Sequence, residues 1–190
     1  MNYWKISMIE INNLTTNPVD EKFLKKVAKM VLEGEKKNDS ELSIALVGQG
    51  RIRELNKKYR KKNRVTDVLA FPESKVLLEK FRVGRAQKIQ GLGEIVICLR
   101  EVKKNAKKFT PLEITETRKK RKENKSLTGF NSTFEKELAR VLIHGILHLL
   151  GYDHEKSKIE AEEMGKKEEF YLSKLDKIGE GSGEPSGSPV

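Results

Sequence analysis

A chain of 190 residues is long enough for one domain with a real core, and its near-equal shares of charged and apolar residues, 35% and 36%, imply solvated segments around a compact centre. Thirty-nine Lys and Arg against 28 Asp and Glu leave a net charge of +11 and a pI near 9.6; each phosphate neutralised by such a surface releases a condensed counterion, so nucleic acid is the expected partner, with a generically basic surface as the alternative that composition leaves open. The lone Cys98 excludes an internal disulfide, and no apolar run approaches membrane-spanning length. Met1 to Asn13 is interrupted by Lys5 and Glu10 and does not resemble a signal peptide, so the expectation is a soluble, cytoplasmic protein.

The chain is expected to open with a strand at Lys5 to Ile11, after which Asn17-Pro18 predicts a helix N-cap with proline in the first helical position. Phe23, Val27, Met30 and Val31 recur at i, i+4, i+7 and i+8, the buried stripe of an amphipathic helix that Gly34 closes. Leu42 to Val47 is apolar enough for a central strand. Gly48-Gln49-Gly50 lacks the rest of a phosphate-binding G-x-G-x-x-G and reads as a turn.

Arg51 to Lys62 is the next predicted helix, with Ile52, Leu55 and Tyr59 on its inner face and Arg51, Arg53, Lys57, Lys58, Arg60, Lys61 and Lys62 elsewhere. So many like charges are tolerable when solvated and favourable when a phosphate backbone lies across them. Thr66 to Pro72 reads as a strand stopped by proline. Residues 73–91 form a long basic stretch, expected to be a mobile flap with a short helix inside it. A strand at Glu94 to Leu99 follows, in which Cys98 acts as a small apolar residue, and then a basic helix at Arg100 to Lys108. Residues 109–132 contain the run Arg118 to Lys122, which will not pack; an exposed excursion is expected, either adding RNA affinity or having no partner.

All three histidines of the chain fall between residues 144 and 154. A helix that starts near Ser132-Thr133 and runs to Leu150 buries Leu138, Val141, Leu142, Leu149 and Leu150, and places His144 and His148 one turn apart on a single face. Gly151 suits the left-handed residue that ends a helix, and the turn after it brings His154 round as a third ligand. Three imidazoles with a fourth corner for water make the open arrangement of a catalytic zinc site; Zn²⁺ suits it best and Ni²⁺ is also accepted. The spacing H-x3-H-x5-H is that of the metzincin metalloproteases, but Gly145 stands where their general-base glutamate belongs, which argues against peptide hydrolysis. The competing reading has two satisfied polar groups on a buried helix and a third histidine in a loop. A last helix over residues 156–178 is expected to dock through Ile159, Met164, Phe170 and Leu172, leaving Gly179 to Val190 as a disordered tail. The predicted architecture is one α/β domain spanning residues 1–178, with a mixed four-stranded sheet and the histidine helix across one face.

His144-Gly145-x-Leu147-His148-Leu149-x-Gly151-Tyr152-Asp153-His154 resembles the signature of the YbeY family. Asn56-x-x-Tyr59-Arg60, Thr66-Asp67-Val68-Leu69-x-Phe71-Pro72, Gly93-Glu94-Ile95 and, near the end, Glu160, Met164 and Glu168 match in the family's order, so the resemblance covers most of residues 5–175. It implies a metal-dependent, single-strand-specific endoribonuclease of ribosomal RNA maturation (16S-type 3′ end processing) and ribosome quality control. Its implied partners are ribosomal RNA, the small ribosomal subunit and ribosomal or assembly-factor proteins. It also implies a cleft role for Arg60, which would hold a phosphate oxygen bidentately beside the metal. Arg53, Lys57 and Lys61 are then candidate phosphate contacts. Thr66 and Asp67 are expected to fix backbone at the cleft, and Asp153 and Glu155 to orient a histidine Nδ1–H or shuttle a proton.

A metal at the three histidines would lower the pKa of water toward neutrality and so do without the missing glutamate. Attack by water on phosphorus and attack by the ribose 2′-OH both stay open. Two departures from the family pattern stand out: Val65 and Ala70 replace its more usual proline and serine, and residues 109–132 lengthen the connection to the histidine helix. Beside the endoribonuclease, the sequence leaves an RNA-binding ribosome-assembly factor with a structural metal, and a metallohydrolase of a peptide or amide bond.

Overall fold

The computed structural model describes residues 7–73, 90–108 and 132–180. The expected flap, most of it in 74–89, the basic excursion at 109–131 and the tail beyond residue 180 lie outside the described residues. In chain order the elements are β1 (Met8–Asn13), α1 (Glu21–Gly34), β2 (Ser40–Val47), α2 (Gln49–Arg60), β3 (Val68–Pro72), β4 (Gln90–Cys98), α3 (Leu99–Lys108), α4 (Thr133–Leu149) and α5 (Lys158–Glu180).

The four strands form the expected mixed sheet, in the order β1-β2-β4-β3. β1 and β2 are parallel and joined through α1, β2 and β4 are parallel, and β3 runs antiparallel to β4 along the far edge. Side chains alternate across the strands. Leu42, Ile44 and Leu46 of β2 and Ile95 and Ile97 of β4 face the larger core, with α1, α3, α4 and α5; Ala45, Val47, Val96 and Cys98 face a smaller one closed by Ile52 of α2. Helices therefore cover both faces, and the histidine helix lies over the middle of one.

Local chemistry moves several boundaries. Helix α1 begins at Asp20 rather than Asn17, because the Asp20 carboxylate accepts from the Phe23 amide at 3.0 Å, and an acid at this end also complements the helix dipole. The Asn17 carbonyl is taken instead by the Asn13 side chain. Gly48 is the N-cap of α2, so Gln49 and Gly50 belong to its first turn and not to a separate turn. On α2 the residue buried beside Ile52 is Asn56, whose side-chain amide donates to the Arg64 carbonyl at 2.8 Å. Tyr59 is 55% exposed, against the inward position that periodicity predicts.

Helix α5 also turns a different face inward. Met164, Tyr171 and Leu175 are buried at i, i+7 and i+11, while Ile159 and Phe170 stand 79% and 57% exposed. The packing stripe passes through a tyrosine, and hydrophobicity alone would not select it, because its hydroxyl needs the buried partner described below.

Candidate metal centre

Ser132 caps α4 by accepting from the Glu135 amide at 3.1 Å, and the helix then runs to Leu149 with Leu138, Val141, Leu142, Ile146 and Leu147 all buried. Gly151, at φ 100°, occupies the left-handed position that only glycine takes without strain, and it turns the chain back. That reversal carries His154 toward His144 and His148. One ring nitrogen from each of the three histidines lies within 4.8 Å of the others, and the ring centroids are 4.6–5.2 Å apart.

The hydrogen bonds fix which nitrogens face inward. His144 Nδ1 lies 2.7 Å from Glu168 Oε1 of α5, and His148 Nδ1 lies 2.9 Å from the Tyr152 carbonyl. A carboxylate and a carbonyl only accept, so each Nδ1 carries the proton and each Nε2 presents a lone pair. These two lone pairs face one another at 3.1 Å. Nitrogens bound at ~2.05 Å to one tetrahedral ion lie about 3.3 Å apart. Two bare acceptors that close repel, and a shared cation removes the repulsion. The donor set therefore fits a divalent metal with imidazole preference. Burial first, and then the two neighbouring histidines, hold the His148 imidazole below its ordinary pKa, which keeps it unprotonated and able to ligate.

The expected orienting role of Asp153 and Glu155 falls elsewhere. Asp153 Oδ1 accepts from the Glu155 amide at 2.9 Å and its Oδ2 lies 3.8 Å from Lys156, so this carboxylate braces the turn. Its pKa is lowered by that amide first and by Lys156 among the charges. Glu168 and the Tyr152 carbonyl hold the histidines instead. For Glu168 the sequence offered only its place in the family's C-terminal pattern.

The histidines open into a cleft of about 250 Å³, with the turn of Asp153 and Glu155 on one side and β3 and the end of α2 on the other. Arg60 lines it, as do Lys62 and Arg64, which sequence reasoning had not singled out for the site. Lys61 adopts φ 58° as the α2 C-cap, and the chain that bends there brings Lys62 and Arg64 to the wall. Arg53, Lys57 and Lys61 are exposed but are not on the lining. The Arg53 guanidinium donates to Asn63 at 2.9 Å, and Lys61 Nζ to the Lys58 carbonyl at 3.2 Å.

Thr66 and Asp67 line the cleft. Asp67 accepts from the Val68 amide at 3.0 Å and from Asn105 of α3 at 3.2 Å, and its carbonyl receives the Cys98 amide at 2.8 Å. It thereby ties the start of β3 to β4 and α3. Gly145 is packed rather than merely vacant: a Cβ there would meet three side-chain atoms of Ile95 at 3.0–3.4 Å. The histidine helix lies so close on β4 that any side chain at this position, the glutamate of the protease motif included, requires Ile95 to give by a few tenths of an ångström.

Among the described residues no helix is long and apolar enough to cross a membrane. The model of the family described as Endoribonuclease YbeY matches residues 10–176. The Endoribonuclease YbeY of Thermodesulfovibrio yellowstonii is 42% identical over 134 residues, 70% of this chain and 66% of that one. That of Aquifex aeolicus is 38% identical over 154 residues, 81% of this chain and 83% of its own. Among solved structures, the solution structure of TM1509 from Thermotoga maritima matches with a TM-score of 0.52 at 29% identity, covering 95% of this chain and 100% of that one.

Proposed function

Because the chain belongs to the YbeY family, we propose that it is a zinc-dependent endoribonuclease that cuts single-stranded RNA in ribosomal RNA maturation. The observation that carries the reading is the convergence of three inward-facing imidazoles and three cationic side chains, Arg60, Lys62 and Arg64, in one cleft. His144, His148 and His154 would hold a divalent ion, which would supply Lewis acidity toward a phosphoryl oxygen and water. Three imidazoles suit Zn²⁺, and Ni²⁺ is the alternative in a purified sample.

The chain's own residues do the rest. Arg60 takes a non-bridging phosphate oxygen with both arms of its guanidinium and offsets the charge that builds on phosphorus during attack. Lys62 and Arg64 seat the neighbouring phosphates, and Arg53, Lys57 and Lys61 extend the positive surface beyond the cleft. Glu155, an exposed carboxylate on the cleft wall, is placed to take up or return a proton. Asp67 and Thr66 hold the floor in shape. The same reading makes the protein cytoplasmic, gives it ribosomal RNA of the small subunit as substrate (16S-type 3′ end processing), and extends to ribosome quality control with ribosomal or assembly-factor proteins as partners.

The test compares wild type with His148→Ala, purified identically, on single-stranded and duplex RNA. Cleavage by wild type alone, with preference for single strands, supports the proposal. Equal cutting by both exposes a contaminant. No cutting by either, with RNA binding retained, favours the assembly factor.

A further inference from the structure

Beside the cleft, Tyr59 is a large aromatic side chain left 55% exposed in the last turn of α2. It is not loose. Its ring meets that of Phe71 edge to face, with centroids 5.2 Å apart and planes at 68°. Phe71 is itself half-buried against the smaller core. Lys58 Nζ lies 5.1 Å from the Tyr59 centroid. The next residue along the helix, Arg60, lines the metal cleft, and so does Ala70, the neighbour of Phe71 on β3. Tyr59 and Phe71 are thus the chain neighbours of two residues on the cleft lining, with Phe71 leaving β3 on the smaller-core face and Ala70 on the larger-core face.

We propose that Tyr59 is a stacking platform for an unpaired base of the RNA, seated next to the phosphate that Arg60 holds; this rests on the endoribonuclease reading above. The chemistry selects this occupant. An exposed ring with the Lys58 ammonium 5.1 Å from its centroid, next along the helix to the cleft-lining Arg60, offers a π surface and positive charge, which matches a planar base and its phosphates. Because Phe71 holds the ring in place, little side-chain freedom is lost on stacking. Lys58 is flexible and exposed, so its ammonium can follow the phosphate when the base arrives. In a duplex both faces of every interior base are already stacked, so only a single strand has a base to give. The platform therefore supplies a physical source for single-strand preference without reading sequence.

The test is the binding of a short fluorescein-labelled 2′-O-methyl RNA, as single strand and as duplex, to the full chain by fluorescence anisotropy. Tyr59→Ala is expected to weaken single-strand binding roughly 5- to 150-fold, the equivalent of the ~1–3 kcal/mol carried by one stacked base, and to leave duplex binding unchanged. Tyr59→Phe should bind like wild type. Tyr59→Leu keeps an apolar contact on Phe71 but has no aromatic face, so it must weaken the single strand as alanine does. Wild-type affinity in Tyr59→Leu, or equal losses on single strand and duplex, overturns the platform alone. If wild type binds single strands no better than duplex, the platform is overturned as well, whereas the endoribonuclease reading falls only if wild type cleaves no more RNA than His148→Ala.

Discussion

Tyr152 donates its hydroxyl to Glu35 at 3.0 Å, across 117 positions of sequence, while its carbonyl accepts from His148 Nδ1 at 2.9 Å. One residue of the ligand turn is thereby fastened both to the end of α1 and to the histidine helix. Glu35 also accepts from Lys167 and Tyr171, each at 2.6 Å, so a single carboxylate joins α1, the turn and α5. Glu35→Ala leaves the buried Tyr171 hydroxyl and Lys167 without their acceptor and is expected to cost about 2–3 kcal/mol in urea unfolding. Tyr152→Phe removes one of three donors and should cost about 1 kcal/mol.

Glu168 fixes the tautomer of His144 and strengthens it as a donor. Glu168→Ala should therefore weaken metal binding by about 10- to 100-fold while the fold is kept. Competition with a chromophoric chelator measures the affinity, and far-UV circular dichroism checks the fold. Unchanged affinity would show that the carboxylate does not serve the site.

Restoring the missing letter of the protease motif should not restore a protease. Gly145→Glu forces a side chain between α4 and Ile95, where a Cβ already meets carbon at 3.0 Å. Overpacking of this kind is expected to lower stability by about 1–3 kcal/mol, with no peptidase activity gained. Thermal unfolding and a peptide-library digest check the two halves.

Acid should loosen the metal-free chain in two steps. The folded pKa of His148 is depressed, so the unfolded state binds more protons; its contribution is full above the ordinary value of 6.5 and is lost as pH falls through the lower folded value. Burial pushes the Glu35 carboxyl up, but hydrogen bonds from Lys167, Tyr171 and Tyr152 outweigh it and the net shift is downward. Its contribution is full above 4.5 and disappears at more acid pH. Unfolding free energies across this range should fall in that order in wild type. In Glu35→Gln the second decline should shrink.

The features legible in the sequence were those set by neighbours along the chain. Histidines four apart and a glycine three positions after the second dictate a shared helix face and a returning turn, and the structure brings the three rings together. The four strands were legible because their apolar runs are bounded by turn residues. Contacts chosen by packing were not. Glu168 meets His144 only because α5 lies across α4, and α5 presents Tyr171 and Leu175 rather than Phe170 because Glu35 gives the tyrosine hydroxyl a partner. In the same way, the left-handed Lys61 turns Lys62 and Arg64, not Lys57, onto the cleft wall, a backbone event that no charge count reveals. Asp20 displaced Asn17 as the cap of α1 through one side-chain hydrogen bond.

The central claim is that the three-histidine centre holds one working metal. The most direct measurement strips the protein with a chelator, records circular dichroism and melting temperature, and titrates Zn²⁺ back while following cleavage of single-stranded RNA. The predicted result is a stripped chain that stays folded and inactive, with activity rising linearly to a plateau at about one ion per chain. A chain that unfolds when stripped, or that binds the ion again without cleaving RNA, would contradict it.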